Sequence, residues 1–540
     1  MPQPVPRPFD LLVIGGGVNG AAIARDAAGR GLSVCLAERG DLGGGTSSAS
    51  SKLFHGGLRY LEYFEFRLVR ESLAERSVLL AQMPHIAWPM RFVLPIDPEM
   101  RFPGDTPAAR ILGRLMPWLR GRRPAWMIRA ALALYDRMGG PSGLPGTRRL
   151  DLRDDPAGEG LRGDLVRAFE YSDVWVDDSR LVVLLARDAA GRGARVATRT
   201  EVASAEARDG FWHVVLRPAE GVGETVVARA LVNAAGPWAE HVARVVLGQN
   251  AAPPLRLVRG SHIVVHRLFA HDRAYFLQGP DGRIVFLLPF EQDFTLIGTT
   301  EEPHEGDPGS ARCTEAERDY LLGFANRYLA RPLGEADVLH SFAGVRPLID
   351  GGERSANAVS RDYRLEAVNP GAPLLHVLGG KITTHRKLAE AALARLAPVV
   401  PRMGGAWTAR APLPGGSLGR GGVWALAHLL RARYPFLTVP WAERLVRAYG
   451  SEVPDILGKA RGVTDLGEDF GATLTAAEVR WMIAREFAQT AEDVLWRRSK
   501  LGLRLGAEGA AQLDAWMRSQ GGAAPRPRLA GPPPGVFRPR

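Results

Sequence analysis

Three glycines mark the place where this chain can do chemistry. Gly15, Gly17 and Gly20 form G-x-G-x-x-G directly after the apolar strand pattern FDLLVI at 9–14, and a helix-compatible stretch runs on to about Ala28. In that setting the first glycine permits a tight turn, the second lets backbone approach a pyrophosphate, and the third packs helix against strand. The helix start then offers N–H groups and a positive dipole end to phosphates. A second strand pattern, Ser33 to Ala37, ends at Glu38, about the 20-residue distance at which a carboxylate meets the ribose hydroxyls of a dinucleotide. The motif alone does not separate NAD from FAD. The segment after Glu38 helps: RGDLGGGTSSASSKLFHGGLRYLE is dense in Gly, Ser and Thr, and the later VNAAGPWA and GGKITTHRK each run from a strand into small residues. Three such segments favour a large cofactor that stays buried.

The elements that must position these residues are dispersed. The βαβ start, the strand ending at Gly236 and the strand ending at Gly380, which leads into a helix near Thr384, are separated by long segments. That spacing implies one nucleotide-binding domain interrupted by insertions. Alternating patterns such as SHIVVH and RIVFLLPF between 250 and 340 read as an antiparallel sheet covering a pocket. A Pro/Gly-rich stretch at 401–422 reads as a linker, and helical patterns come after it. Thr475-x-x-Glu478 and Thr490-x-x-Asp493 have capping-box spacing, and residues 519–540 are rich in Pro, Gly and Arg and read as a disordered tail.

Composition narrows the class. At 540 residues with 46% hydrophobic and 24% charged side chains, the chain has the make-up of a globular protein of two or three domains. Its net charge of +11 implies an anionic partner, whether nucleic acid, phosphorylated metabolite or acidic membrane surface. Cys35 and Cys313 alone build no disulfide framework, iron–sulfur cluster or zinc site, which fits a reducing, cytoplasmic compartment. The N-terminus lacks a signal-peptide pattern, and no apolar run reaches the roughly 18 residues of a membrane span. No metal site is expected.

Taken together, GTSSASSKLFHGGLRYLE, VNAAGPWA, RGSHIVV, RIVFLLPF, GTTEE, AGVRPL, SRDY, GGKITTHRK and AREFAQTAEDVLWRRSKLGL resemble, in this order, the FAD-dependent glycerol-3-phosphate dehydrogenases of respiratory, aerobic type. The resemblance spans about residues 9 to 505. It implies an α/β fold with a Rossmann-like FAD-binding domain, in segments at about 9–95, 165–245 and 341–400. An antiparallel-sheet substrate (cap) domain at about 250–340 interrupts it, and a helical C-terminal domain occupies 423–518. The implied reaction takes sn-glycerol 3-phosphate to dihydroxyacetone phosphate, with electrons passing to membrane quinone. GTTEE stands where GTTD is more usual, and Ala49 stands where a basic residue is frequent.

On that resemblance FAD is held by Gly15, Gly17, Gly20, Glu38, Arg39, Thr46, Ser47, Ser50, Lys52, His55, Gly57, Leu58, Gly236, Gly380, Lys381 and Thr383. Of these, His55 is expected to pack near the flavin ring without a catalytic role. A phosphate is gripped best by Arg in a bidentate mode, and Arg59, Arg283, Arg346 and Arg361 lie in family-like motifs, with Arg346 the first choice. Tyr60 would close the pocket. His262 is the expected general base, since imidazole titrates near working pH. Lys381 would serve as base or as a cation beside the flavin. Between Arg110 and Arg129 six arginines alternate with Leu, Ile, Met and Trp and no acidic residue intervenes, a pattern for an anionic membrane surface. No nucleic-acid-binding motif accompanies it. The chain is therefore expected in the cytoplasm, peripheral to the inner face of the cytoplasmic membrane, with a homodimer possible. The rival readings are the same oxidation with oxygen as acceptor, a flavoenzyme acting on an amine or hydroxyacid, and a flavoprotein without catalysis.

Overall fold

The computed structural model describes residues 7–97, 124–140, 143–249, 255–279, 282–349, 363–400 and 402–520, with Pro107, Ile111 and Arg114. The Arg-rich segment from 110 to 123 otherwise lies outside the described residues, as do Arg361, the side chain of Arg59 and most of the C-terminal stretch read as a tail.

The apolar run Phe9–Ile14 forms the centre of a parallel sheet. It pairs with Val34–Ala37 on one side and Glu224–Asn233 on the other, in register Leu11↔Val34 and Leu11↔Ala230. Arg195–Ala197 and Leu374–Gly379 extend the sheet in parallel, and Tyr363–Val368 closes one edge antiparallel. Leu11, Leu12 and Val13 are wholly buried because layers cover both faces, as parallel strands require. One layer is the helix Val18–Gly29 with the helices Asp178–Gly191 and His385–Leu396; the other is the hairpin Thr200–Arg208 and Phe211–Pro218. Alanines at 21, 22, 24, 27 and 28 let the first helix lie close to the sheet. The strands expected at Gly236 and Gly380 thus return to the first sheet, and their C-terminal ends share one edge with Ile14 and Ala37.

A second, ten-stranded sheet stands over that edge. Its central strands are Leu255–His266, Phe294–Gly298, Ile284–Phe290 and Ala274–Gln278, joined antiparallel. The cap is larger than the 250–340 segment. Ala87–Pro95, Arg167–Val176 and Val338–Ile349, placed by sequence in the FAD-binding segments, belong to this sheet, with pairings such as Met90↔Asp173 and Arg346↔Val258. An apolar alternation identifies a strand, but its sheet is set by partners scores of residues away.

The C-terminal helices from Gly422 to Ser519 pack around their own core of Trp441, Leu445, Tyr449, Val479 and Met482. The stretch read as a linker is packed rather than free. Gln82 Nε2 donates to Thr408 O (2.5 Å), Leu413 N donates to Gln82 O (3.0 Å), and Trp407 Nε1 donates to Asp26 O (3.1 Å). Of the two capping boxes, Thr490 and Asp493 exchange bonds of 3.0 and 3.3 Å. Thr475 makes no side-chain cap, and the Glu478 carboxylate is taken by Arg444 and Tyr449 instead of reaching back to the helix start.

Buried ion pairs join the domains. Arg180 meets Glu486 through bonds of 2.5 and 2.9 Å, and Arg498 and Arg497 both reach Asp41. Burial alone would raise the Asp41 and Glu486 carboxyls, but the facing guanidiniums outweigh it and hold both below the ordinary carboxylate range.

Candidate active site

A cavity of about 600 Å³ opens along the shared strand edge. Gly15 makes the turn into it with φ +105°, and a Cβ there would stand 2.7 Å from Ala234 O. At Gly20 a Cβ would fall 1.9 Å from Gly15 O, so only glycine lets the helix approach. The helix N-cap, Gly17, lies at the cavity wall with no side-chain cap, and Val18 N donates to Ser47 Oγ (3.0 Å). The Glu38 carboxylate accepts from Gly16 N (2.6 Å) and Gly40 N (2.7 Å) and so ties the first strand's turn to the second's. Burial pushes this carboxyl up while the two N–H groups pull it down; burial wins. A carboxylate has about four lone-pair sites, so two remain for ribose hydroxyls.

Arg39, Thr46, Ser47 and Ser50 also line this cavity, with Gly236, Gly380, Lys381 and Thr383 from the later strand ends. Arg39 stacks on Trp238 at 4.5 Å, and Thr46 Oγ1 donates to Val345 O (2.5 Å). Segments near residues 15, 235 and 380 therefore converge on one space, walled by backbone at a helix start. That donor set fits FAD: N–H groups for a pyrophosphate, a carboxylate for a ribose, and Lys381 as a cation in the wall. Lys52 is a correction to the contact set. It is 2% exposed and turned inward, with Nζ donating to Asp178 Oδ1 (2.7 Å), so it anchors the loop instead of facing the cavity. Gly20 likewise acts through packing.

A second cavity of about 90 Å³ adjoins the first, and His55 and Tyr60 line both. Lys381 Nζ sits 3.9 Å from the centre of the Tyr60 ring. Arg346 faces the larger cavity, and its Nη2 donates to Thr299 Oγ1 (3.0 Å), while Nη1 lies 3.8 Å from Glu301. Gly57, Leu58 and Arg283 line the smaller one; Arg283 is 3.6 Å from Glu302 at its rim. His262, read from the sequence as the base, is corrected by its placement. It is 1% exposed, faces neither cavity, stacks on Phe342 at 5.0 Å and shares a 3.0 Å bond with Ser51 Oγ. Burial, with Arg346 and Lys52 nearby, drives its pKa far below the ordinary value. It supports the loop that carries His55. Asn19, Trp238, Thr299 and Glu301 line the cavities without having been singled out, although the last two stand in GTTEE.

Glu38→Arg places a cation and a longer side chain where Gly16 and Gly40 now donate. The purified variant should retain little FAD, read from the visible absorbance per polypeptide. Stoichiometric FAD in the variant would contradict the role of this clasp.

Comparison with known proteins agrees with this geometry. The FAD dependent oxidoreductase family model matches residues 10–386, and the model of the C-terminal domain of alpha-glycerophosphate oxidase matches 406–519. The chain is 48% identical to the D-erythritol 1-phosphate dehydrogenase of Brucella abortus, over 95% of this chain and 98% of that one. It is also 48% identical to the glycerol-3-phosphate dehydrogenase of Pseudomonas aeruginosa, over 98% of each. Its fold is similar to the structure of the glycerol-3-phosphate dehydrogenase from Bacillus halodurans complexed with FAD, with TM-score 0.68, 25% identity and 95% of each chain covered. The chain belongs to the FAD-dependent oxidoreductase family: it is an FAD-binding enzyme that carries the C-terminal domain of the alpha-glycerophosphate oxidases.

Proposed function

We propose that this enzyme oxidises sn-glycerol 3-phosphate to dihydroxyacetone phosphate and passes the electrons to a membrane quinone. The observation that carries the reading is the grouping of Arg346, Lys381, Tyr60 and His55 where the two cavities meet. FAD, when bound, supplies the two-electron acceptor for the hydride of an alcohol carbon. Arg346, steadied by Thr299, presents a planar fork suited to a phosphate ester. Lys381, over the Tyr60 ring, adds positive potential in the same cavity. In this reading His55, which lines both cavities, takes the hydroxyl proton in place of His262. A four-carbon polyol phosphate is a second substrate reading, because the relative named for erythritol 1-phosphate is as similar as the one named for glycerol 3-phosphate. Arg346→Ala should raise the KM for glycerol 3-phosphate at least about thirtyfold, since a lost phosphate pair of this kind costs about 2–5 kcal/mol. An unchanged KM would remove Arg346 from the clamp.

The quinone part of the proposal rests on a surface. Phe64 and Phe66, 45% and 42% exposed, lie with ring centres 6.0 Å apart just after the Tyr60 turn. The helices Phe66–Gln82 and Ala125–Met138 pack beside that turn and add exposed Trp126 (58%) and Leu134. Arg67, Arg129 and Arg137 are exposed among them. Aromatic and aliphatic side chains mixed with arginine suit an anionic bilayer surface. Among the described residues no helix is long and apolar enough to cross a membrane. Replacing Phe64, Phe66 and Trp126 with Ser should therefore abolish the binding to anionic vesicles that persists at high salt, where the Debye length is only about 3 Å. Quinone-linked turnover should fall with it and dye-linked turnover should not. Salt-resistant binding that survives the triple change would place the contact elsewhere.

A further inference from the structure

The smaller cavity has features that oxidation of glycerol phosphate alone does not use. Leu53, Leu58, Phe92, Phe276, Ile284 and Phe286 form its wall. The aromatic part is braced edge to face: Phe286 meets Phe92 at 6.1 Å and Phe276 at 5.3 Å between ring centres. Its volume is about 90 Å³, whereas a water-sized group needs about 10–15 Å³. The terminal hydroxymethyl group of glycerol is two heavy atoms and fills only part of that room.

The polar atoms at its edge are unequal. Asp173 accepts from Tyr135 Oη at 2.9 Å through both oxygens and from Arg76 Nη1 at 2.6 Å, so it is a fixed part of the wall. Thr299 accepts from Arg346 and donates to Thr300 O (3.2 Å). Glu301 also lines the cavity and lies 3.8 Å from Arg346. Two carboxylates beside this space repel a phosphate, but a carboxylate accepts well from a hydroxyl. The cations Arg346 and Lys381 line the larger cavity, whereas among the described residues the smaller one has a single lining cation, Arg283, which lies 3.6 Å from Glu302 and shares the wall with Asp173 and Glu301. With two carboxylates to one cation in the smaller wall, the charges favour one orientation of a phosphorylated polyol: phosphate toward Arg346 and Lys381, reacting carbon near His55 and Tyr60, and hydroxylated tail in the smaller cavity.

We propose that the smaller cavity is a chain-length subsite, with Glu301 as hydroxyl acceptor, that admits a polyol phosphate one hydroxymethylene unit longer than glycerol phosphate. This rests on the proposed oxidation of polyol phosphates at the junction of the two cavities. The probes are sn-glycerol 3-phosphate and D-erythritol 1-phosphate, compared as kcat/KM on the FAD-loaded enzyme. The wild type should oxidise the four-carbon substrate at no less than about a tenth of the three-carbon rate. Ile284→Phe, which fills the tail space, should lower the four-carbon to three-carbon ratio about tenfold or more, the range set by a methylene-sized misfit. Glu301→Gln, nearly isosteric, should lower the same ratio without filling the space, and it decides the matter if Ile284→Phe loses its FAD. Ratios unmoved in the FAD-retaining variants, or a wild type that oxidises only the three-carbon substrate, would overturn the subsite and leave the proposed function standing. If neither substrate is oxidised, both readings fall.

Discussion

One contact sets the rest of the molecule: the helix Val18–Gly29 crosses the end of the first strand so closely that Gly20 has no room for a methyl group. That approach aims the helix start along the strand edge, and its N–H groups and dipole then favour anionic phosphates there. Glu38 completes the seat by bonding the backbone on both sides of the turn. The strands ending near residues 235 and 380 return to the same sheet despite the long insertions between them.

The insertions and the C-terminal domain act on that seat from outside it. The ten-stranded sheet brings Arg346 and Thr299 together from the two sides of the strand Leu255–His266, over Gly260, and so fixes Arg346 at the cavity. The helical domain reaches the cofactor loop directly, through Arg497 and Arg498 on Asp41, which itself lines the cavity. Because the folded Asp41 and Glu486 carboxyls lie below their ordinary values, their stabilising effect is complete above the unfolded carboxylate pKa. It is lost as pH falls through the lowered folded values. Cofactor seat and domain contact are in this sense one structure.

How legible this was depended on the range of the determining contact. The glycine motif, Glu38 and the strands into Gly236 and Gly380 are local patterns, and each sits where its spacing predicts. Membership of a sheet is not local, which is why four strands of the cap, Leu53–Phe54 among them, read as part of the FAD-binding segments. Burial is not local either. His262 and Lys52 have the right chemistry for a site, but both are packed beneath the loop that carries His55. Thr475-x-x-Glu478 had the spacing of a cap, and a distant arginine took its carboxylate. The Pro/Gly stretch before the last domain is irregular because it runs along a packed surface, as the bonds of Thr408 and Leu413 to Gln82 show.

The central claim is that a polyol phosphate bound between Arg346, Lys381 and His55 delivers its hydride to FAD in this chain. Anaerobic titration of the purified, FAD-loaded enzyme with sn-glycerol 3-phosphate tests it most directly, with the visible flavin absorbance as the readout. The account predicts bleaching to the reduced spectrum on addition of substrate, and none with unphosphorylated glycerol at the same concentration. A flavin that dithionite reduces but that stays oxidised under saturating glycerol 3-phosphate and erythritol 1-phosphate would contradict it.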